Sequence, residues 1–274
     1  MSMIEINQQT CTRCGICAVE CPGFVIDFKA GTFPQQIEQA ENACIRCGHC
    51  VVVCPNGSLS HRDSLLVKSP QIMEKLKVSP EQCEQLLKSR RSVRVFKNQP
   101  VSREMIGRLI EDSRYAPTAH NAEEVEWLVM DSKKELDRIE ELGIDWIIWT
   151  IKNQPQVAMS FNMENMLKRQ KADKNVLLRG APVLVITHAS TEVQGIASID
   201  SATALGYLDL AANSFGLGTC WAGLMFIMAN SFPPVKAALA LPENHAIYGC
   251  MMLGYNKHKY QRIPVRKEPS IIWR

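Results

Sequence analysis

The stretch CTRCGICAVECP, residues 11–22, returns about 33 residues later as CIRCGHCVVVCP, residues 44–55. Both copies read Cys-x-x-Cys-x-x-Cys-x-x-x-Cys-Pro, with Cys11, Cys14, Cys17 and Cys21 in the first and Cys44, Cys47, Cys50 and Cys54 in the second. Three thiolates at this spacing on one tight loop converge on three corners of an iron–sulfur cubane, and the fourth turns away towards a second cluster. The pattern predicts two [4Fe-4S] clusters with crossed ligands. Cluster I takes Cys11, Cys14, Cys17 and Cys54; cluster II takes Cys44, Cys47, Cys50 and Cys21. Zinc sites pair one Cys-x-x-Cys with a distant second pair, which triple spacing followed by proline does not match. Disulfides belong to secreted mini-proteins, a poorer match to this chain.

Smaller features of the block agree. Gly15 and Gly48 sit inside the ligand loops, where backbone must turn sharply close to sulfur. Val25, Ile26 and the run Val51–Val53 can shield the clusters from water. His49, beside Cys50, reads as an exposed loop histidine. The bacterial ferredoxins use this run, and crossed ligation would tie together a segment too small for a large apolar core.

Working outward, the chain has 274 residues, 46% hydrophobic and 22% charged, with 31 basic against 28 acidic residues. That balance lacks the clustered basic face of a nucleic-acid-binding protein. The densest apolar runs, Ile144–Ile151 and Ala181–Ile186, are far short of the ~18 residues of a membrane span. Met1 to Gln9 lacks the basic start and apolar core of a secretory signal, so the expected location is cytoplasmic, with no membrane and no nucleic acid among the partners.

The organisation expected is a cluster domain over residues 1–62, a linker over 63–79, and a second domain over 80–274. Asn56-Gly57 is a turn signal, His61-Arg62-Asp63 reads as polar, and Ile72, Met73 and Leu76 form a short apolar-periodic segment. Ser79-Pro80-Glu81-Gln82 opens a helix with a capping box. Cys83 has no cysteine partner at ligand spacing and reads as structural. Beyond it, helices are expected at Arg103–Ser113 after Ser102, from Ser132 (box partner Glu135) to near Gly143, and over 198–215 with Gly216 as the stop. Trp127–Met130, Val183–Thr187 and Ala246–Leu253 read as strands. Strand and helix do not alternate simply, and no Gly-x-Gly-x-x-Gly follows a strand, which argues for an α+β layout against a doubly wound dinucleotide fold.

Four constellations carry the chemistry of the second domain. Arg90-Arg91-Ser92-Val93-Arg94 gathers three guanidiniums and a hydroxyl, suited to phosphate; a solvated basic turn is the competing reading. Ala116-Pro117-Thr118-Ala119-His120-Asn121 is a small, turn-rich stretch able to approach a planar ring, or simply a loop. Gly216–Gly223 closes the long helix with small residues whose backbone N–H groups can reach a ligand. Arg262 and Arg266-Lys267 offer a second phosphate clamp or a charged tail.

In this order and at these separations, the four resemble the nitroreductase family of FMN flavoproteins over about residues 85–270, and the whole chain resembles a ferredoxin–nitroreductase fusion. The resemblance implies a central, mainly antiparallel sheet flanked by helices and a homodimer. It implies that Arg90, Arg91 and Ser92, with Arg266, hold the FMN phosphate, and that Arg94 reaches the pyrimidine side. Ala222 and Gly223 would place backbone N–H groups near N5. Pro117, Thr118, Ala119 and Asn121 would act on the flavin across the dimer interface. Glu123-Glu124 departs from the Gln-Pro common in the family, which leaves loop path and substrate preference open.

Such chemistry asks little of side chains beyond positioning FMN, so no catalytic acid, base or nucleophile is expected, and Cys220 reads as a buried structural thiol. Electrons would pass from the clusters, fed by ferredoxin or another low-potential donor, or from NAD(P)H, through FMN to a nitroaromatic, quinone or similar small acceptor. A flavin dehydrogenase exporting electrons through the clusters, or a non-enzymatic carrier or redox sensor, are the alternatives. Trp146, Trp149, Phe161, Met163 and Met166 read as core or dimer interface, with acceptor-pocket lining the lesser reading.

Overall fold

The computed structural model describes residues 2–170, 175–192 and 196–274. Its contacts divide the chain into two compact units: Met1–Lys77 with Thr118–Ala122, and Val78–Pro117 with Glu123–Arg274. Among the described residues no helix is long and apolar enough to cross a membrane.

The first unit contains strand β1 (Ile4–Ile6), helix α1 (Ile16–Val19), strands β2 (Ile26–Asp27) and β3 (Gln35–Gln36), helices α2 (Ala40–Ala43) and α3 (His49–Val52), and strand β4 (Leu59–His61). β1 pairs antiparallel with β4, and β2 with β3. The duplication in sequence is a duplication in structure. Each cysteine loop enters its one-turn helix through a left-handed glycine, Gly15 at φ 74° and Gly48 at φ 72°. An added Cβ would lie 2.5 Å or less from two Phe28 ring carbons at Gly15 and 2.8 Å from Ser64 Oγ at Gly48, so both conformation and space call for glycine. Val25, Ile26, Val51 and Leu59 pack around buried Cys17 and Cys21, whereas Val52 faces solvent. His61 departs from the polar stretch expected of it: it ends β4, pairs opposite Ile4 and is only 3% exposed. Residues 63–79 contain two single 3-10 turns, Leu66–Lys68 and Glu74–Leu76, too short to bury a face, and Ile72, Met73 and Leu76 are exposed.

The second unit runs through α4 (Pro80–Ser89), α5 (Arg103–Ser113), β5 (Glu126–Met130), α6 (Lys133–Asn153), α7 (Pro155–Ser160), α8 (Met163–Gln170), β6 (Val183–Ser190), α9 (Ala197–Ser214), β7 (Leu217–Trp221), α10 (Gly223–Ser231), α11 (Pro233–Leu239) and β8 (His245–Tyr255). The Ser79–Gln82 capping box forms in both directions, and Ser102 caps α5 by accepting the Met105 N–H at 3.2 Å. The sheet order is β5-β6-β8-β7, every pair antiparallel.

Both faces of this sheet are buried, which is why its strands are apolar runs without alternation. Val183 and Val185 on β6, with Met251 and Leu253 on β8, face α5 and α9. Leu184 and Ile186, with Cys250 and Met252, face the layer of α6, α10 and α11. α9 buries Ala197, Asp200, Ser201, Ala204, Leu205, Leu208 and Ala212, a stripe at helical spacing.

Two expectations need correction. α6 does not stop near Gly143 but continues to Asn153, because the stripe Leu136, Ile139, Gly143, Trp146, Ile147 and Thr150 is unbroken. Gly143 serves close approach: a Cβ there would stand 2.0 Å from Leu177 Cδ1. The expected Ser132–Glu135 box does not form either: Ser132 is the N-cap of α6 but makes no side-chain cap hydrogen bond. Gly216, at φ 73°, ends α9, and the chain goes straight into edge strand β7. Trp146 and Met163 are core, while Trp149 and Phe161 are partly exposed.

Candidate functional site

All 11 cysteines are free thiols, and eight of them surround two cavities in the first unit. One is lined by Cys11, Cys14, Cys17 and Cys54, the other by Cys21, Cys44, Cys47 and Cys50. Cys21 and Cys54 are thus exchanged between the copies that contain them in sequence. Burial, then the neighbouring Cys21, Cys47, Cys44 and Cys17, push the Cys50 thiol up to about 11. Burial also raises Cys17; backbone N–H groups oppose this, and Cys54 and Cys14 add to it. Backbone N–H groups aim at ligand sulfur: Val25 donates to Cys21 Sγ at 3.4 Å, its counterpart Ser58 to Cys54 Sγ at 3.2 Å, and Arg46 to Cys44 Sγ at 3.4 Å. Four soft donors per cavity, backed by N–H groups, fit two cubanes; a disulfide framework would need paired sulfurs. His49 is exposed, as expected, though it opens helix α3 and does not lie in a loop.

In the second unit, the Arg90–Arg94 segment is stitched to the edge strand. Val93 N–H donates to Thr219 O at 2.8 Å, Ser92 bridges Thr219, and Phe96 bridges Asn256. A cavity beside it is lined by Arg90, Arg91, Asp209, Gly218, Thr219, Asn256 and Tyr260. Arg90 Nη1 lies 3.4 Å from Asp209 Oδ2, and the Thr219 hydroxyl bonds the same carboxylate. Arg91 donates to the carbonyls of Ser89 and Lys88, so part of its fork caps the C-terminal end of α4. Arg94 is exposed and donates to Ser92 O at 3.3 Å.

One feature of this cavity suits a polar ligand. Asn256 Oδ1 is buried with no hydrogen-bond partner, an acceptor that a ligand hydroxyl or N–H can satisfy. Nearby, burial raises the pKa of Cys220, with Asp209 adding to the rise and Arg94, Arg179 and Arg90 opposing it. Ala222 is the N-cap of α10 and its N–H is taken by Cys250 O at 2.8 Å, while Gly223 opens the helix with empty space where a Cβ would stand. First-turn N–H groups there have no intrahelical acceptor and carry the positive end of the helix dipole.

The remaining expected residues are distributed differently. Thr118, Ala119 and Asn121 group with the first unit and Pro117 with the second. His120, Asn121 and Glu123 all adopt left-handed backbone, at φ 53°, 54° and 52°. Arg262 and Arg266 are exposed on the irregular C-terminal segment, which lines the cavity through Asn256 and Tyr260. Sequence reasoning missed Asp209 and Asn256, and it held Thr219 only as part of the Gly216–Gly223 run. Of these only Asp209 left a signal, as one of two carboxylates on a helix that is otherwise apolar or neutral.

A family model described as the nitroreductase family matches residues 87–255, and one described as a 4Fe-4S dicluster domain matches residues 10–59. A protein of Archaeoglobus fulgidus, provisionally named an NADH dehydrogenase/NAD(P)H nitroreductase, is 24% identical over 177 residues, covering 65% of this chain and 87% of its own. A Methanothermobacter thermautotrophicus protein of the same provisional name is 22% identical over 182 residues, covering 65% and 80%. Among solved structures, an FMN-bound nitroreductase from Bacteroides fragilis superposes with a TM-score of 0.58 at 23% identity, covering 70% of this chain and 98% of that one. A BluB-like flavoprotein from Clostridium difficile gives 0.56 at 19% identity, covering 69% and 98%. At these identities the structural likeness is one of fold.

Proposed function

The chain belongs to the nitroreductase family through residues 87–255 and carries a 4Fe-4S dicluster domain at residues 10–59, and from that premise we propose that it passes electrons from its two clusters through FMN to a nitroaromatic, quinone or similar small acceptor. It is an iron–sulfur flavin oxidoreductase. The observation that carries the reading is the pair of four-cysteine cavities that exchange Cys21 and Cys54, on a chain that also carries the nitroreductase domain. Bound there, the clusters supply one-electron transfer, and FMN couples single electrons to two-electron reduction of an acceptor.

The chain's own residues bind and orient. Cys11, Cys14, Cys17 and Cys54 hold cluster I, and Cys44, Cys47, Cys50 and Cys21 hold cluster II. Arg90 and Ser92, with Arg91 beside them and Arg266 from the C-terminal segment, hold the FMN phosphate. Arg94 lies on the pyrimidine side, where a guanidinium stabilises negative charge. The N-terminus of α10 presents the Gly223 backbone N–H to the ring, whereas the Ala222 N–H expected beside it is spent on Cys250 O. Pro117, Thr118, Ala119 and Asn121 cover the flavin of a partner subunit in a cytoplasmic homodimer. Exposed Val265, Ile272 and Trp273 support the homodimer, since a partner removes such apolar surface from water.

The test is anaerobic stopped-flow reduction of the flavin by a low-potential donor and by NADH, in the intact protein and in Cys11→Ala. Cluster-fed reduction requires the donor-driven rate to collapse in Cys11→Ala. Equal rapid reduction in both proteins would sink the cluster-fed route and leave NAD(P)H as the electron source.

A further inference from the structure

The two halves of the first unit match at every ligand cysteine and at the loop glycines, and they differ in chemistry at a position beside the ligand sulfurs. Advancing 33 residues carries Cys11 to Cys44, Gly15 to Gly48, Cys21 to Cys54 and Val25 to Ser58, and it carries Phe28 to His61. Val25 and Ser58 each give an N–H to the crossing cysteine of their own copy, and Arg46 N–H also reaches Cys44 Sγ at 3.4 Å. Position 28/61 breaks the match. Phe28 places its ring against Gly15 beside the first cavity and has no polar hydrogen. His61 lines the second cavity, with Nε2 3.6 Å from Cys44 Sγ.

The tautomer of His61 is fixed by its other nitrogen. Asp63 N–H donates to Nδ1 at 3.0 Å, so Nδ1 is the acceptor and the ring proton sits on Nε2, facing the sulfur. The Asp63 carboxylate lies 3.9 Å from Nδ1, too far to reverse that assignment. Burial of the ring between β4 and its neighbours keeps water from competing for the contact.

We infer that His61 acts through Cys44 as a positioning residue that raises the reduction potential of cluster II above that of cluster I. An N–H donated to ligand sulfur withdraws charge from the iron–sulfur core and favours its reduced, more negative state. Cluster I receives an aromatic ring at the matching position and no equivalent donor. The pair is thereby ordered, with cluster I the stronger reductant and cluster II the resting place of the first electron. This rests on the crossed ligation proposed above.

The test is EPR-monitored redox titration of anaerobically purified full-length protein, together with iron and sulfide analysis. Wild type should show two unequal potentials. In His61→Phe the higher should fall towards the lower, while the lower stays in place. His61→Gln, which keeps an N–H donor, should recover part of the shift, a recovery that a purely structural role does not supply. In case His61→Phe loses a cluster, wild-type protein carrying 15N-histidine gives a second readout: pulsed EPR should show nitrogen coupling to the cluster reduced first. Full iron content with unshifted potentials, or coupling absent from that cluster, overturns the role of His61 alone. Absence of iron and sulfide from the wild type overturns the cluster reading itself.

Discussion

Arg90 and Asp209 meet at 3.4 Å at the edge of the second-unit cavity, in a pair where the guanidinium is 26% exposed and the carboxylate 12%. Asp209 is itself held by the Thr219 hydroxyl, so the carboxylate fixes where the guanidinium points. An arginine so anchored has donors left over for a phosphate. Arg90→Ala is expected to weaken FMN binding at least tenfold, in line with the ~1.5–3 kcal/mol of a charge-assisted hydrogen bond. Asp209→Asn, which loosens the arginine but also removes a repelling charge, should weaken it less. Flavin fluorescence titration of the apoprotein measures both. Unchanged FMN affinity in Arg90→Ala, with only a loss of thermal stability, would make the pair a strut and remove Arg90 from the site.

Gly143 gives a contrast between two helical glycines. A methyl at Gly143 would overlap Leu177, whereas one at Gly107 on α5 would meet nothing within 4 Å. Gly143→Ala should destabilise the second unit by about 1–3 kcal/mol through overpacking. Gly107→Ala should be neutral or stabilise by about 0.5–1 kcal/mol through helix propensity. Urea unfolding followed by tryptophan fluorescence reads both; equal effects would mean that Leu177 yields freely.

Why Gly143 misleads in sequence is instructive. A glycine after a helical run has the composition of a C-cap, and only the tertiary neighbour Leu177 reveals a contact role. By contrast, Ser79 with Gln82 and Ser102 with Met105 N–H are local hydrogen bonds, so the starts of α4 and α5 are legible without tertiary knowledge. The cysteine cavities are legible for a related reason, because the spacing encodes loop geometry directly. Asp209 and Asn256 meet Arg90 and Gly218 only once β7 lies beside β8 and α9 lies against the sheet. No local pattern marks Asn256, and Asp209 shows only as a carboxylate on a largely apolar helix. His61 is misread as surface because its polarity is local while its burial comes from pairing with β1.

His188 supplies a pH dependence. It is buried at the end of β6, its Nδ1 is 2.8 Å from His245 Nδ1, and burial lowers its pKa below 6.5, with Glu126 opposing and His245 adding. The unfolded chain therefore binds the proton more readily than the native one. The neutral ring's contribution to stability is fully present above pH 6.5 and is lost as pH falls through the lower native value. Histidine-selective NMR of the folded protein should show His188 titrating below pH 6.5. A midpoint above that value would mean that Glu126 outweighs desolvation, reversing the sign.

The exchange of Cys21 and Cys54 can be tested through the way their losses combine. Cys54 follows Cys44, Cys47 and Cys50 in sequence but shares a cavity with Cys11, Cys14 and Cys17. Under crossed ligation, Cys54→Ser and Cys11→Ala damage the same cluster. The double variant should then retain as much iron and sulfide as either single one, about one cluster's worth, because groups acting as a unit do not lose additively. Cys54→Ser combined with Cys44→Ala removes a ligand from each cluster and should abolish both. If each copy instead ligated its own cluster, the pattern would invert: Cys54→Ser with Cys44→Ala would spare one cluster, and Cys54→Ser with Cys11→Ala would lose both. Iron and sulfide analysis of the two anaerobically purified double variants decides between these outcomes, and the inverted pattern would sink the crossed assignment.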